Sequence, residues 1–245
     1  GVNKPTGSAL IGKVRAVIFS PDHLLLVKEG PVRRRSFLDG ALCQLRPGYA
    51  SAYHQYVRAL AQRNALLKEI YQFPPQRDLL EVWDMRLAKL GAAIMAERRS
   101  FVDKMGPLAT QVYEGISRGR EDLVLTYAPS PGIEPGMTTA QWEERFLQEL
   151  SRTADQDIRR GATTVGPHKD DLDITLSGLS ARRYGSQGQQ RSAVLAMKLA
   201  EAQTLSQLSG ETPIVLLDDV MSELDQSRQD YLLNHLHGRQ VFVTC

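Results

Sequence analysis

The stretch from Tyr184 to Asp225 constrains the fold most, because it asks for a helix, a buried strand and a tight turn in fixed order. The loop Tyr184-Gly185-Ser186-Gln187-Gly188-Gln189-Gln190-Arg191 runs into Ala193, Val194, Ala196, Met197, Leu199, Ala200 and Ala202, which recur at helical spacing. The loop therefore sits at a helix amino terminus, where unpaired N–H groups and the positive end of the helix dipole face outward. Ser186 adds a hydroxyl and Gly188 removes a side chain, so the helix start is a cradle for a phosphate. After a turn at Ser209-Gly210-Glu211, the run Pro213-Ile214-Val215-Leu216-Leu217 reads as a strand buried on both faces of a parallel sheet. It ends in Asp218-Asp219, and carboxylates at the carboxyl end of such a strand are commonly where Mg²⁺ and a water are handled. Taken singly, each piece also fits a plainer reading, as an ordinary helix cap and a solvated turn.

Composition adds little about partners. Lys+Arg 30 against Asp+Glu 28 leaves a formal net charge of +2 over 245 residues, so bulk charge argues neither for nor against nucleic acid. The clusters Arg33-Arg34-Arg35, Arg98-Arg99, Arg159-Arg160 and Arg182-Arg183 are placed to meet phosphates, and each also reads as a solvated helix face. Cys43 and Cys245 offer neither zinc spacing nor a disulfide framework, which fits a reducing cytoplasm. No apolar run reaches the roughly 18 residues of a membrane span and no signal segment opens the chain, so a soluble protein without a membrane partner is expected. His235 and His237 are two apart, which on a helix points them to different sides and argues against a metal pair.

Gly7-Ser8-Ala9-Leu10-Ile11-Gly12-Lys13-Val14 matches the spacing of a P-loop, but Val14 stands where a Ser/Thr hydroxyl would hold Mg²⁺. Its context fails as well, since a strand-like run, Val14 to Phe19, follows where a helix is required. The chain is therefore expected to carry no Walker A lysine. Ser20-Pro21-Asp22 predicts a capped short helix. Long helical patterns follow over Tyr49 to Gln72 and about Asp78 to Ser117, with Gly106-Pro107 expected to bend or interrupt the second. Leu123 to Tyr127 reads as a strand, Ala140 to Arg160 as a helix capped by Thr138 or Thr139 and closed by Gly161. Asp173 to Leu176 is an alternating strand, and the last helix and strand run from Gln226 and from Gln240. His168, Asp170 and Asp171 lack further ligands at matching spacing and read as a structural turn.

The order of Gly/Gln loop, helix, strand with two acids, and Ser222-Glu223-Leu224-Asp225 resembles the signature motif, Walker B and D-loop of ABC-type ATPases. The wording Gly-Ser-Gln-Gly-Gln-Gln-Arg, with Gly166-Pro167-His168-Lys169-Asp170-Asp171-Leu172 upstream, resembles the bacterial RecF family of recombination proteins. The resemblance implies an α/β fold: a partial ABC-type ATPase core with a parallel sheet in 1–41 and 162–245, and an inserted α-helical arm over about 42–161. It implies ATP and Mg²⁺ as cofactors, with Asp218 holding the metal and Asp219 orienting or deprotonating the attacking water. Ser186, Gln187, Gly188 and Gln189 would then bind the γ-phosphate of an ATP held by another subunit, and Asp225 would lie in the coupling turn. The implied function is DNA replication and recombinational repair, including the response to DNA damage, by a clamp whose ATP-bound homodimer closes on DNA with other recombination mediators as partners. Because the P-loop is missing, ATPase activity is expected only of a full-length dimer and not of this chain alone, which reads as a fragment or a shortened protein. A non-catalytic DNA-binding or protein-docking scaffold is the alternative reading.

Overall fold

The computed structural model describes residues 14–244 apart from 73, 133 and 135, and leaves out the side chains of 74–76 and 223. The near-match to a P-loop at Gly7 to Lys13 and the terminal Cys245 lie outside the described residues. The chain divides into two compact units, one formed by residues up to 47 with 100–127 and 172–245, the other by 48–99 and 128–171. Residues 100–127, within the span expected for the arm, therefore cluster with the unit that carries the parallel sheet.

That first unit is built on β1 (Ala16–Phe19), the short helix α1 (Leu25–Lys28) and helix α2 (Pro31–Leu45). Ser20 opens a 3₁₀ turn at Pro21–Leu24, as its sequence demands, and its N–H donates to His23 Nδ1 at 3.0 Å. Burial, and then the nearby Lys198 ammonium, lower the His23 pKa to about 4, so the imidazole stays neutral. Chain order then passes through α3 (Pro47–Gln72), α4 (Leu80–Ser117), β2 (Leu123–Ala128) and α5 (Thr139–Arg160). It closes with β3 (Asp171–Leu176), β4 (Leu179–Ser180), α6 (Ala181–Tyr184), α7 (Gln187–Ser209), β5 (Ile214–Asp218), α8 (Gln226–His235) and β6 (Val241–Thr244).

β1, β5 and β6 form a parallel sheet in the order β1-β5-β6, and β2, β3 and β4 form a second sheet in that order. Val215 and Leu217 of β5 are fully buried while Ile214 and Leu216 are half-buried, so the apolar run is completely covered on one face only. Helix α7 packs against β1, α1, α2 and α8. Burying its Leu195, Met197, Leu199 and Leu205 stabilises the unit by about 1.5–3 kcal/mol per side chain. Helix α4 runs on through Pro107, so of the bend or interruption expected from sequence the interruption does not occur. Met105, Ala109 and Val112 flank the proline and are buried, and the Thr110 hydroxyl donates to the Leu123 carbonyl at 2.6 Å, so packing outweighs the lost helical bond.

The second unit is helical, built from most of α3, the first part of α4, and α5. Leu66, Leu67, Ile70 and Leu80 form a buried cluster with Trp83 and Ile158 against it. Arg63, with no exposed surface, donates from Nε to Asp84 and from Nη1 to Asp157 (2.7 Å) and Thr163 (2.9 Å), joining all three helical segments. Gly91 is required where α4 meets α5, because a Cβ there would collide with the Phe146 ring. Gly166, at φ +124, lets the chain pass Tyr56 and Phe146, each of which would lie 2.6 Å from an added Cβ.

The Arg63 network predicts an asymmetry between its two acids. Asp157 also accepts from the Thr164 N–H (3.0 Å) and hydroxyl (2.6 Å), whereas burial pushes the Asp84 carboxyl above its usual range despite the guanidinium. A carboxyl raised in the folded state favours folding while protonated and loses that contribution as pH rises, so a neutral amide is tolerated at Asp84. Urea unfolding should show Asp157→Asn costing about 3 kcal/mol or more, and Asp84→Asn about 1 kcal/mol.

Candidate functional site

The amino terminus of α7 is capped by its own sequence. The Ser186 hydroxyl accepts from the Gln189 N–H at 3.2 Å, and the Gln189 Oε1 accepts from the Ser186 N–H at 2.6 Å. This reciprocal pair is the capping box that a Ser-x-x-Gln start encodes. Gln189 Nε2 then donates to Glu121 Oε1 at 2.6 Å, and Tyr113 donates to the other Glu121 oxygen at 2.9 Å. On the far side, Arg228 of α8 donates from Nε to the Ser192 hydroxyl (2.9 Å) and from Nη2 to the Gly188 carbonyl (3.1 Å). A cleft of about 220 Å³ opens here, with Arg120, Glu121, Ser186, Gly188, Gln189 and Arg228 in its wall. Ser186 and Gln187 are exposed, Gly188 and Gln189 half-buried.

At the carboxyl end of β5 the two acids form a second group. The Thr244 hydroxyl donates to Asp218 Oδ1 at 2.7 Å and accepts from the Asp219 N–H at 3.2 Å. Asp219 adopts φ +50, a left-handed conformation that Asp tolerates better than most residues, and its side chain accepts from Ser222 at 3.2 Å. Both acids are exposed. The turn that follows is held by Gln229, whose Nε2 donates to the carbonyls of Met221 (2.8 Å) and Leu224 (3.0 Å). Asp225 ends the turn as the cap of α8, accepting from the Arg228 N–H at 3.0 Å while pairing with the Arg228 guanidinium. Arg228 thus ties the turn after the acids to the start of α7.

Among the described residues no three His, Cys, Asp or Glu side chains gather to hold a metal ion. A hard cation that keeps its waters and binds through one carboxylate and substrate phosphates nonetheless suits Asp218 beside the Thr244 hydroxyl. His235 stacks on Tyr231 and bonds its carbonyl, and Cys43 is a half-buried thiol whose pKa burial raises, so neither is placed for chemistry.

No family model matches the chain. Curated relatives do. The DNA replication and repair protein RecF of Acetivibrio thermocellus is 40% identical over 236 residues, covering 96% of this chain and 64% of the relative. The proteins of the same name from Ruminiclostridium cellulolyticum and Heliobacterium modesticaldum are 43% identical, over 97% and 94% of this chain and 64% and 62% of their own length. A solved structure of the recombination mediator protein RecF-ATPrS in the RecFOR pathway superposes with a TM-score of 0.92 at 37% identity, over 99% of this chain and 65% of that one. The corresponding RecF-ATP structure gives 0.89 at 38% identity, over 96% and 63%.

The chain belongs to the RecF family. It spans about 64% of the length of the first relatives it matches. Within this RecF-family chain, Ser186, Gln187, Gly188 and Gln189 sit together at the α7 start, and Asp218 and Asp219 together at the β5 end. Asp225 lies between the two groups and is engaged as a cap and an ion pair. Glu223 has no described side chain. Sequence reading missed Glu121, Arg228, Thr244, Ser222 and Gln229 as partners of these residues. Only Arg228 carried a local signal, three residues after a capping Asp. Of the arginine clusters, Arg34 is buried and donates to the Leu26 and Glu29 carbonyls (3.1 and 2.9 Å), and Arg98 is buried against Asp170 (3.0 Å) and the Pro167 carbonyl. The cluster reading fails for both, because their guanidiniums cap the fold from inside.

The positive φ of Asp219 is testable through stability alone. Asp219→Ala should destabilise the chain by about 1 kcal/mol more than Asp219→Asn or Asp219→Gly, since only Ala lacks an inexpensive left-handed conformation. Thermal and urea denaturation of the three variants measures the difference.

Proposed function

We propose that this chain contributes the signature, Walker B and D-loop elements of a RecF-type DNA-repair ATPase that clamps DNA as an ATP-bound dimer. The observation that carries the reading is the pairing of a capped, solvent-facing loop at Ser186 to Gln189 with an acid pair at the end of a parallel strand, Asp218 and Asp219. Its likeness to RecF structures described with ATP and ATPrS supports ATP as the nucleotide.

In this reading the chain holds two half-sites. Asp218, steadied by Thr244, would hold Mg²⁺ through a water, and the ion would neutralise charge developing on the phosphates. Asp219, fixed by its backbone bond to Thr244 and by Ser222, would orient or deprotonate the attacking water beside a P-loop. Ser186, Gly188 and the start of α7 would meet the γ-phosphate of an ATP held by a second subunit. Asp225 would act by placing α8, and Arg228 would connect that helix to the signature loop. DNA, the second subunit and other recombination mediators are the proposed partners, in the cytoplasm. No helix among the described residues is long and apolar enough to cross a membrane.

The chain by itself should show no tight ATP binding at low micromolar nucleotide and no hydrolysis. Preceded by the P-loop portion of a RecF relative, it should dimerise with ATP and hydrolyse it faster on DNA. Asp219→Asn should then lower turnover by about a hundredfold or more while dimerisation with ATP persists. Unchanged turnover in that variant would remove Asp219 from the reaction, and tight binding by the chain alone would remove the need for a partner lobe.

A further inference from the structure

Glu121 follows α4 on a loop whose Arg118 and Gly119 both have positive φ, and it lies 68 residues before the loop it touches. Both of its oxygens are engaged, one by Gln189 Nε2 at 2.6 Å and one by the Tyr113 hydroxyl at 2.9 Å. Tyr113 is buried, and that burial followed by its bond to Glu121 raises its pKa, so it stays a donor across the accessible pH range. The carboxylate shares its cleft with Arg120, Arg228 and the amino terminus of α7, the charges that would otherwise attract an anion. The carboxamide it holds occupies the Ser186 N–H, while the Gln189 N–H is taken by the Ser186 hydroxyl.

We propose that Glu121 is a latch on the signature loop. It is a built-in carboxylate that keeps Gln189 across the start of α7 and must release it before a phosphate takes the donors at Ser186 and Gly188. The inference rests on the reading of this loop as a phosphate half-site, and it makes Glu121 a positioning residue that acts through Gln189. In a clamp that closes on a partner's ATP, such a latch weakens the loop's hold on free anions, and a triphosphate overcomes it by displacing the carboxylate. Tyr113 sets its strength by holding the second oxygen.

The test follows the backbone amides of Ser186, Gly188 and Gln189 and the side-chain amide of Gln189 by NMR in the 245-residue chain, titrated with inorganic tripolyphosphate. Glu121→Gln removes the charge in nearly the same shape, and Tyr113→Phe removes one tether and keeps the ring. Asp122→Asn, at an exposed neighbour, makes the same charge change without touching Gln189. Glu121→Gln should bind tripolyphosphate about threefold or more tighter than wild type, because a like charge leaves the cleft. Tyr113→Phe should bind with a smaller gain and Asp122→Asn as wild type does, and in wild type the Gln189 side-chain resonance should move together with the Ser186 amide. Equal or weaker binding by Glu121→Gln, with the three amides still responding, overturns the latch and leaves the half-site standing. An equal gain in Asp122→Asn overturns it in favour of general charge. No response at these amides in either wild type or Glu121→Gln overturns the latch together with the half-site it rests on.

Discussion

Helix α7 is buried from Ser192 to Ala202 on every face, and the rest of its unit is arranged around that fact. An isolated helix would expose polar residues along one side, but this one carries Lys198 and Glu201 inward, each about 5% exposed and paired to the other. Burial raises the Glu201 carboxyl, the Lys198 ammonium opposes that rise, and Lys198 also lies 5.4 Å from the Phe37 ring centre. Such a pair adds little net stability over apolar residues of the same shape. What it does is fix the helix in rotation, since turning it would leave a buried charge unmatched. With the body of α7 fixed, the direction in which the N–H groups of its solvent-facing first turn point is decided by the core.

The helical unit obeys the same logic with different chemistry. His168 Nε2 donates to the Thr163 carbonyl at 2.9 Å, so its Nδ1 is left to accept from the Tyr56 hydroxyl at 2.7 Å. Asp170 accepts from the Ser130 N–H at 2.7 Å and from Arg98. His168 and Asp170, which read from sequence as part of a structural turn, are each committed to a backbone or side-chain partner. A turn that buries Thr163 and Asp170 has to satisfy both, and here the satisfied network fixes the path of the chain that follows α5.

Much of this was legible because it is local. Ser186 with Gln189, Thr138 with Gln141, and Gly161 and Gly210 in left-handed conformations mark the ends of α7 and α5 in sequence and in structure alike. The alternation of β3 and the acid pair closing β5 are local too. What escaped depends on distance along the chain. Pro107 speaks for a break in any window around it, and only the burial of its neighbours and the tie to β2 keep the helix whole. Glu121 is 68 residues from Gln189, and Arg228 is 40 from Gly188, so no spacing rule connects them. Runs of arginine misled for a related reason: a charge pattern does not show which guanidinium has turned inward to cap a carbonyl.

The identity of residue 189 illustrates how a local rule and a distant contact select one side chain together. A capping box accepts Glu or Gln at its third position, because either supplies the oxygen that takes the cap N–H. The helix dipole on its own would favour Glu. Glu121 reverses that preference, since a second carboxylate within hydrogen-bond reach of it would repel, while a carboxamide presents oxygen to Ser186 and N–H to Glu121 at once. Gln189 is the side chain that meets both demands. The Gln-rich wording that marks this loop as RecF-like is thus, at one position, the consequence of a carboxylate on another helix's trailing loop. That dependence runs both ways: with Gln in place the cap can be held or released by its neighbour, whereas an acid there would be anchored only by its own helix.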